Sequence, residues 1–135
     1  MGYTILLVDD SRTIRGAMER TFQMAKLPLD EVIEAGNGAE AIAVLKERWV
    51  DIVLADINMP VMNGIDLVHA MKADPEWREI PVAIVSTEGS QTRMNELRQA
   101  GIAGYLRKPC RPEEVRDLLH QILGAWGPTT PQAQG

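Results

Sequence analysis

Cysteine is nearly absent: Cys110 is the only one in 135 residues. An internal disulfide is excluded, and with no second cysteine or nearby histidine there is no zinc-ligand spacing. Long apolar runs are missing as well. The longest, Ala41 to Leu45, is five residues, against the roughly 20 that a membrane-spanning helix needs. The start, Met1-Gly2-Tyr3-Thr4, has neither a basic leader nor a small-residue cleavage site, so no secretory signal and a cytoplasmic setting are expected. Basic charge is in deficit, 14 Lys plus Arg against 19 Asp plus Glu for a net charge of -5. That balance disfavours nonspecific binding to DNA or to an anionic membrane surface. No helix-turn-helix and no kinase loops are found along the chain.

What is present is material for one core. A hydrophobic share of 45% over 135 residues is enough for a single domain. Apolar, β-branched blocks recur at Thr4 to Val8, Glu31 to Ala35, Asp51 to Ala55, Pro81 to Val85 and Gly104 to Leu106, and each is expected as a strand. Helical patterns lie between them. The first puts Ile14, Ala17, Met18, Thr21, Phe22 and Ala25 on one face, with Ser11 or Thr13 as a cap. The second is capped by Asn37 and buries Ala41, Ile42 and Leu45, and the third follows Gly64 with Ile65, Leu67, Val68 and Met71. The last carries Val115, Leu118, Leu119, Ile122 and Leu123 between Pro112 and Gly124. The fourth, from Ser90 to Ala100, offers only Met94, Leu97 and Ala100 for burial, so a lightly anchored helix is expected there. After residue 124 too little apolar content remains to order a segment, which predicts a domain over 1–124 and a tail over 125–135.

Strands alternating with helices imply an α/β fold with a parallel sheet covered on both faces. Continuously apolar Ile5-Leu6-Leu7-Val8 and Ile52-Val53-Leu54-Ala55 fit strands buried on both sides. In such sheets ligands bind at the carboxyl ends of the strands. There stand Asp9 and Asp10 after the first strand, Asp56 after the third, Ser86 and Thr87 after the fourth, and Lys108-Pro109 after the fifth. Strands one and three adjoin in the common doubly wound orders, so three carboxylates and one lysine converge on one crevice. Crowded carboxylates repel unless a cation joins them. Mg2+ suits the set, being held by carboxylates, waters and phosphate oxygens. As single residues these have plainer uses: Asp10 as a helix cap, Ser86 and Lys108 as surface groups. Lys108 offers a mobile charge for phosphoryl oxygens, and Ser86 a hydroxyl donor.

Four segments in order then resemble a known family. They are Leu-Val-Asp9-Asp10-Ser, Ala-Asp56-Ile-Asn58-Met-Pro60-Val-Met-Asn-Gly64, Val-Ser86-Thr87-Glu88 and Gly-Tyr105-Leu-Arg-Lys108-Pro109. Together they are similar to the receiver domains of two-component response regulators, the CheY-like stand-alone members in particular, from about Thr4 to Leu123. The resemblance implies a flavodoxin-like (βα)5 sheet of order 2-1-3-4-5. It implies Asp56 as the acceptor of a phosphoryl group from a histidine kinase, and Mg2+ bound by Asp10, Asp56 and the carbonyl of Asn58, with Asp9 acting largely through water. Ser86 and Lys108 would hold phosphoryl oxygens, a chemistry of positioning and charge neutralisation. The Lys108-Pro109 peptide falls where the family is commonly cis. The resemblance further implies a switch in which Ser86 moves toward the phosphoryl group and Tyr105 turns from an exposed to an inward rotamer. The surface of helix four, strand five and helix five would change with it.

The expected partners are a sensor histidine kinase or phosphotransfer protein, a downstream target such as a flagellar motor switch or another motility component, and a phosphatase. Asn58 and Glu88 flank the site and favour chemotaxis or motility control, with phosphorelay or kinase regulation as the alternative. Beyond transfer to and loss from Asp56, no enzymatic turnover is expected. Thr87 stands where the family usually has a smaller residue, so donor access and dephosphorylation are expected to differ. Cys110 replaces an apolar residue and is expected to pack as one. Proline at 60 and glycine at 64 predict a stiff loop with a positive φ at Gly64. Two other classes are disfavoured. An aspartyl-phosphate hydrolase of the haloacid dehalogenase type would show Asp-x-Asp, whereas Ser11 stands two places after Asp9. A flavodoxin-like mononucleotide binder would not put Asp9 and Asp10 against the phosphate. A receiver acting without phosphorylation is disfavoured by the intact acidic set.

Overall fold

A computed structural model describes residues 2–87 and 89–124. Glu88 and the tail over 125–135 lie outside the described residues. Five strands alternate with five helices: β1 (Tyr3–Val8), α1 (Arg12–Met24), β2 (Leu29–Ala35), α2 (Gly38–Glu47), β3 (Ile52–Ala55), α3 (Gly64–Ala73), β4 (Val82–Ser86), α4 (Gln91–Ala100), β5 (Gly104–Arg107) and α5 (Pro112–Leu123). The strands form one parallel sheet of order β2-β1-β3-β4-β5.

Alternation of side chains along the apolar strands divides the core in two. On one face Leu6, Val8, Val53, Ala55, Val82 and Ile84 pack with Ala41, Leu45, Leu67, Val68 and Met71 of α2 and α3 and with Leu97 of α4. On the other, Ile5, Leu7, Ile52, Leu54, Ala83 and Val85 pack with Met18 and Phe22 of α1 and with Val115, Leu118 and Leu119 of α5. Burial of both faces explains why β1, β3 and β4 read as unbroken apolar runs.

Each expected helix start is capped by a side chain. Ser11 Oγ accepts from Ile14 N at 3.2 Å, Asn37 Oδ1 from Glu40 N at 2.9 Å and Ser90 Oγ from Arg93 N at 3.2 Å. Asn63, one residue before the expected start of α3, accepts from Asp66 N at 2.8 Å. At α5 the Glu114 carboxylate reaches back and accepts from Arg111 N at 2.7 Å. Helix α4 is as thinly anchored as its composition implies, for Leu97 is its only buried residue. Ile14, Ala17 and Thr21 of α1, expected in the core, are only partly buried. They border a largely apolar cavity of about 300 Å³ that continues to Thr87, Lys108, Pro109 and Cys110.

The expectation for Gly64 is corrected. Its φ is not positive; the left-handed residue of that loop is Val61, at φ 67° with its side chain exposed. Gly64 is needed for close approach instead. A Cβ there would lie 2.2 Å from the Asp56 carbonyl oxygen, because Gly64 N donates to Ile57 O at 2.8 Å and draws the loop against β3. At the opposite, amino-terminal end of the sheet, Trp49 and Trp77 border a shallow groove of about 260 Å³ with Lys46 and Arg48.

Candidate functional site

The parallel register places the expected residues together. β1 and β3 are paired up to Val8 and Ala55, so Asp9 and Asp56 leave neighbouring strands at the same level. Carboxylate oxygens of Asp9, Asp10 and Asp56 lie within 4.8 Å of one another. Asp9 is buried, Asp56 half-buried and Asp10 exposed. The cap of α1 is Ser11, which leaves the Asp10 carboxylate without the capping duty its position allowed.

Asp9 is held from every side. Its N–H donates to Ala35 O at 3.0 Å, its Oδ1 accepts from Ser11 N at 2.9 Å, and its Oδ2 pairs with Lys108 Nζ. Its carbonyl oxygen accepts from Arg15 Nη1 at 2.5 Å. Asp56 is oriented by Ile57, whose N–H donates to Oδ1 at 2.7 Å, while Oδ2 lies 3.4 Å from Lys108 Nζ. Lys108 thus spans the two acids, with only 13% of its side chain exposed. One ammonium faces three carboxylates. This oxygen-only donor set, partly buried and short of positive charge, fits a hard divalent cation such as Mg2+.

Ser86 ends β4 and is fully buried, and its carbonyl accepts from Lys108 N at 2.9 Å, which ties the fourth strand end to the fifth. The Lys108-Pro109 peptide is cis. Asn58 and Pro109 are exposed, and Thr87, also exposed, borders the cavity beside α1. Tyr105 is not exposed in this structure. Like Ile102, it packs against the buried cluster that contains Leu97, and its hydroxyl is shielded from solvent. Cys110 packs as a small apolar residue, its Sγ 3.9 Å from Met18 Sδ. Burial, and secondarily the charge of Glu114, push its thiol pKa up, which makes it a poor nucleophile.

Arg15 was not singled out by sequence. The available signal is its place one turn into α1, because helical side chains lean toward the amino terminus and so reach back over the strand end. Its Nε also pairs with Glu34 Oε1 of β2 at 2.6 Å. Glu34 in turn shares a hydrogen bond with Glu19. That bond raises the Glu19 carboxyl above its ordinary range, and the same bond, then Arg15, holds Glu34 below it.

The family model described as the response regulator receiver domain matches residues 5–120. Two curated relatives are a chemotaxis protein CheY homolog of Campylobacter jejuni, 36% identical over 89% of this chain and 92% of that protein, and the chemotaxis protein CheY1 of Helicobacter pylori, 36% identical over 89% and 96%. Among solved structures, the chemotaxis protein CheY4 of Vibrio cholerae superposes with a TM-score of 0.80 at 33% identity, covering 90% of this chain and 99% of that one. The receiver domain of the sensor histidine kinase PA1611 of Pseudomonas aeruginosa, with magnesium coordinated in its active-site cleft, shares the fold at 24% identity. Its TM-score is 0.81, over 93% and 100% of the two chains. The chain belongs to the response regulator receiver domain family. It is a CheY-like member of two-component signalling, similar to chemotaxis proteins over most of its length. No helix among the described residues is long and apolar enough to cross a membrane.

Proposed function

We propose that this protein is a phosphorylation-controlled signalling switch, in which Asp56 accepts a phosphoryl group from the phosphohistidine of a sensor kinase or phosphotransfer protein. The observation that carries this is the convergence of Asp9, Asp10 and Asp56 on one strand-end crevice spanned by Lys108. The Asp56 carboxylate is the nucleophile: one oxygen bonds to phosphorus while the bond from phosphorus to the histidine nitrogen breaks. Ile57 N–H fixes the rotamer of that carboxylate, which limits the orientations it must search before attack. Lys108 neutralises the acids at rest and offers its ammonium to the phosphoryl oxygens as charge builds on them, with the Ser86 hydroxyl as a further donor.

Asp10, Asp56 and the carbonyl of Asn58 would hold Mg2+ directly, with Asp9 largely through water, and the ion would supply positive charge against the phosphoryl oxygens. Magnesium in the cleft of the PA1611 receiver domain supports this assignment. Loss of the phosphoryl group is by hydrolysis, aided by a phosphatase, at a rate set by the identities of Thr87 and Glu88. The phosphorylated form would present a changed surface of α4, β5 and α5, pivoting on Ser86 and Tyr105, to a separate target protein. Likeness to chemotaxis proteins of Campylobacter, Helicobacter and Vibrio favours a cytoplasmic motility component, such as the flagellar motor switch, as that target. The domain over 1–124 would act as one unit in this exchange.

The test is incubation with Mg2+ and acetyl phosphate, read by intact mass. A gain of one phosphoryl group is expected in the wild type, and none in Asp56→Asn or after chelation. Absence of any gain, with a cognate kinase also supplied, would overturn the phosphoswitch.

A further inference from the structure

Four groups fix Asp9, and three of them are its own loop, the neighbouring strand and Lys108. The fourth is Arg15, whose side chain is 14% exposed and bonds in two directions: Nη1 to the Asp9 carbonyl at 2.5 Å and Nε to Glu34 at 2.6 Å. The Asp9 carbonyl stands past the last paired residue of β1, where the ladder with β2 ends at Val8 and Ala35. Arg15 takes over at that point. It ties the peptide joining Asp9 to Asp10 to the end of β2, one residue before the ladder closes.

We infer that Arg15 is a positioning residue for the metal site, clamping the Asp9–Asp10 peptide to Glu34 so that both acidic side chains are aimed into the crevice before any cation arrives. This rests on the assignment of Mg2+ to that crevice. A guanidinium suits the task because its planar fork reaches two acceptors at once, which a lysine ammonium on its flexible stem does not reproduce. Its own positive charge opposes a cation nearby. Any gain in metal affinity from Arg15 is therefore geometric, and salt separates the two effects, since screening weakens the charge repulsion and leaves the hydrogen bonds in place.

The test is Mg2+ binding by titration calorimetry on the wild type, Arg15→Ala, Arg15→Lys, Glu34→Gln and Arg48→Gln. The last disrupts a more exposed arginine ion pair, to Glu31 of the same strand but away from the site. Removing groups that orient metal ligands typically weakens affinity by about 10-fold or more. Arg15→Ala is expected to weaken Mg2+ by about that factor at high salt and by less at low salt, where the lost repulsion offsets part of the effect, Glu34→Gln by less than Arg15→Ala at high salt, and Arg48→Gln not at all. Arg15→Lys is expected to fall with Arg15→Ala. Thermal unfolding with and without Mg2+ distinguishes a destabilised fold from a misplaced ligand: a clamp reduces the Mg2+-dependent rise in Tm, whereas a purely structural role lowers both Tm values equally. Wild-type affinity in Arg15→Ala, or tighter binding, would overturn the clamp. Absence of Mg2+ binding in the wild type would instead overturn the metal assignment itself.

Discussion

Replacing Gly64 by alanine tests how tightly the loop after Asp56 is drawn against its strand. The added methyl would sit 2.2 Å from the Asp56 carbonyl oxygen and 3.0 Å from both the carbonyl carbon and Ile57 Cα, where ordinary contact begins at 3.4 Å. All three obstacles are backbone, so no side chain can swing aside. The loop or the strand end must yield by about 1 Å, and since overpacking by a methyl in a tight interior costs roughly 1–3 kcal/mol, about 3 kcal/mol is expected. For a domain of this size that is a loss of roughly 10 °C in Tm. Gly16 in α1 is the matched control, because a Cβ there meets nothing nearer than the Arg20 guanidinium at 3.9 Å. Gly16→Ala should raise stability by about 0.5–1 kcal/mol through helix propensity. Urea unfolding of both variants followed by far-UV circular dichroism, with the slope unchanged, gives the two values directly. Because two of the three crowded atoms belong to Asp56 and the third to Ile57, whose N–H orients the Asp56 carboxylate, Gly64→Ala should also slow phosphoryl uptake. An unfolding midpoint at or above wild type for Gly64→Ala would refute the close approach.

Leu97 is the one buried side chain of α4, so Leu97→Ala should cost about 2–5 kcal/mol. Hydrogen exchange should show the amides of α4 losing protection first; protection lost evenly over the chain would contradict the single anchor. The raised thiol pKa of Cys110 carries a pH dependence. The unfolded thiol ionises near its ordinary value of 9.0 while the folded one resists. The unfolded chain therefore binds fewer protons above that pH, and stability falls as pH rises through the folded value. Below the ordinary value the contribution is fully present. Cys110→Ala should remove this alkaline segment of the stability profile, and iodoacetamide should label native Cys110 slowly until the protein unfolds.

The parallel sheet was legible because β1, β3 and β4 are buried on both faces and carry no polar residue in their middles, whereas its order 2-1-3-4-5 came only with the resemblance to receiver domains. The site was legible for a related reason: parallel strands deliver whatever follows them to one edge, so Asp9, Asp10, Asp56, Ser86 and Lys108 had to meet. Side-chain roles that depend on exact reach were not. Pro60 and Gly64 flag a tight loop, but only the folded backbone shows that the left-handed residue is the β-branched Val61 and that Gly64 is there for want of a Cβ. Tyr105 carries no mark in the sequence of which way its ring lies. Arg15 looks like any surface arginine of an amphipathic helix until the lean of its side chain over the end of β1 is known.

Two of the three tryptophans, Trp49 and Trp77, stand at the amino-terminal end of the sheet, Trp126 lying outside the described residues, and their placement governs which optical signals these two offer. Both indoles sit across the sheet from the acidic crevice, one in the loop entering β3 and the other in the loop entering β4. Emission from these two rings will follow unfolding, since Trp77 packs against the core, yet stay nearly constant as ions or phosphoryl groups come and go at the far edge. A tryptophan introduced at the exposed Asn58, where only the main-chain carbonyl is assigned a role, would give that edge a quenchable reporter beside these two steady rings.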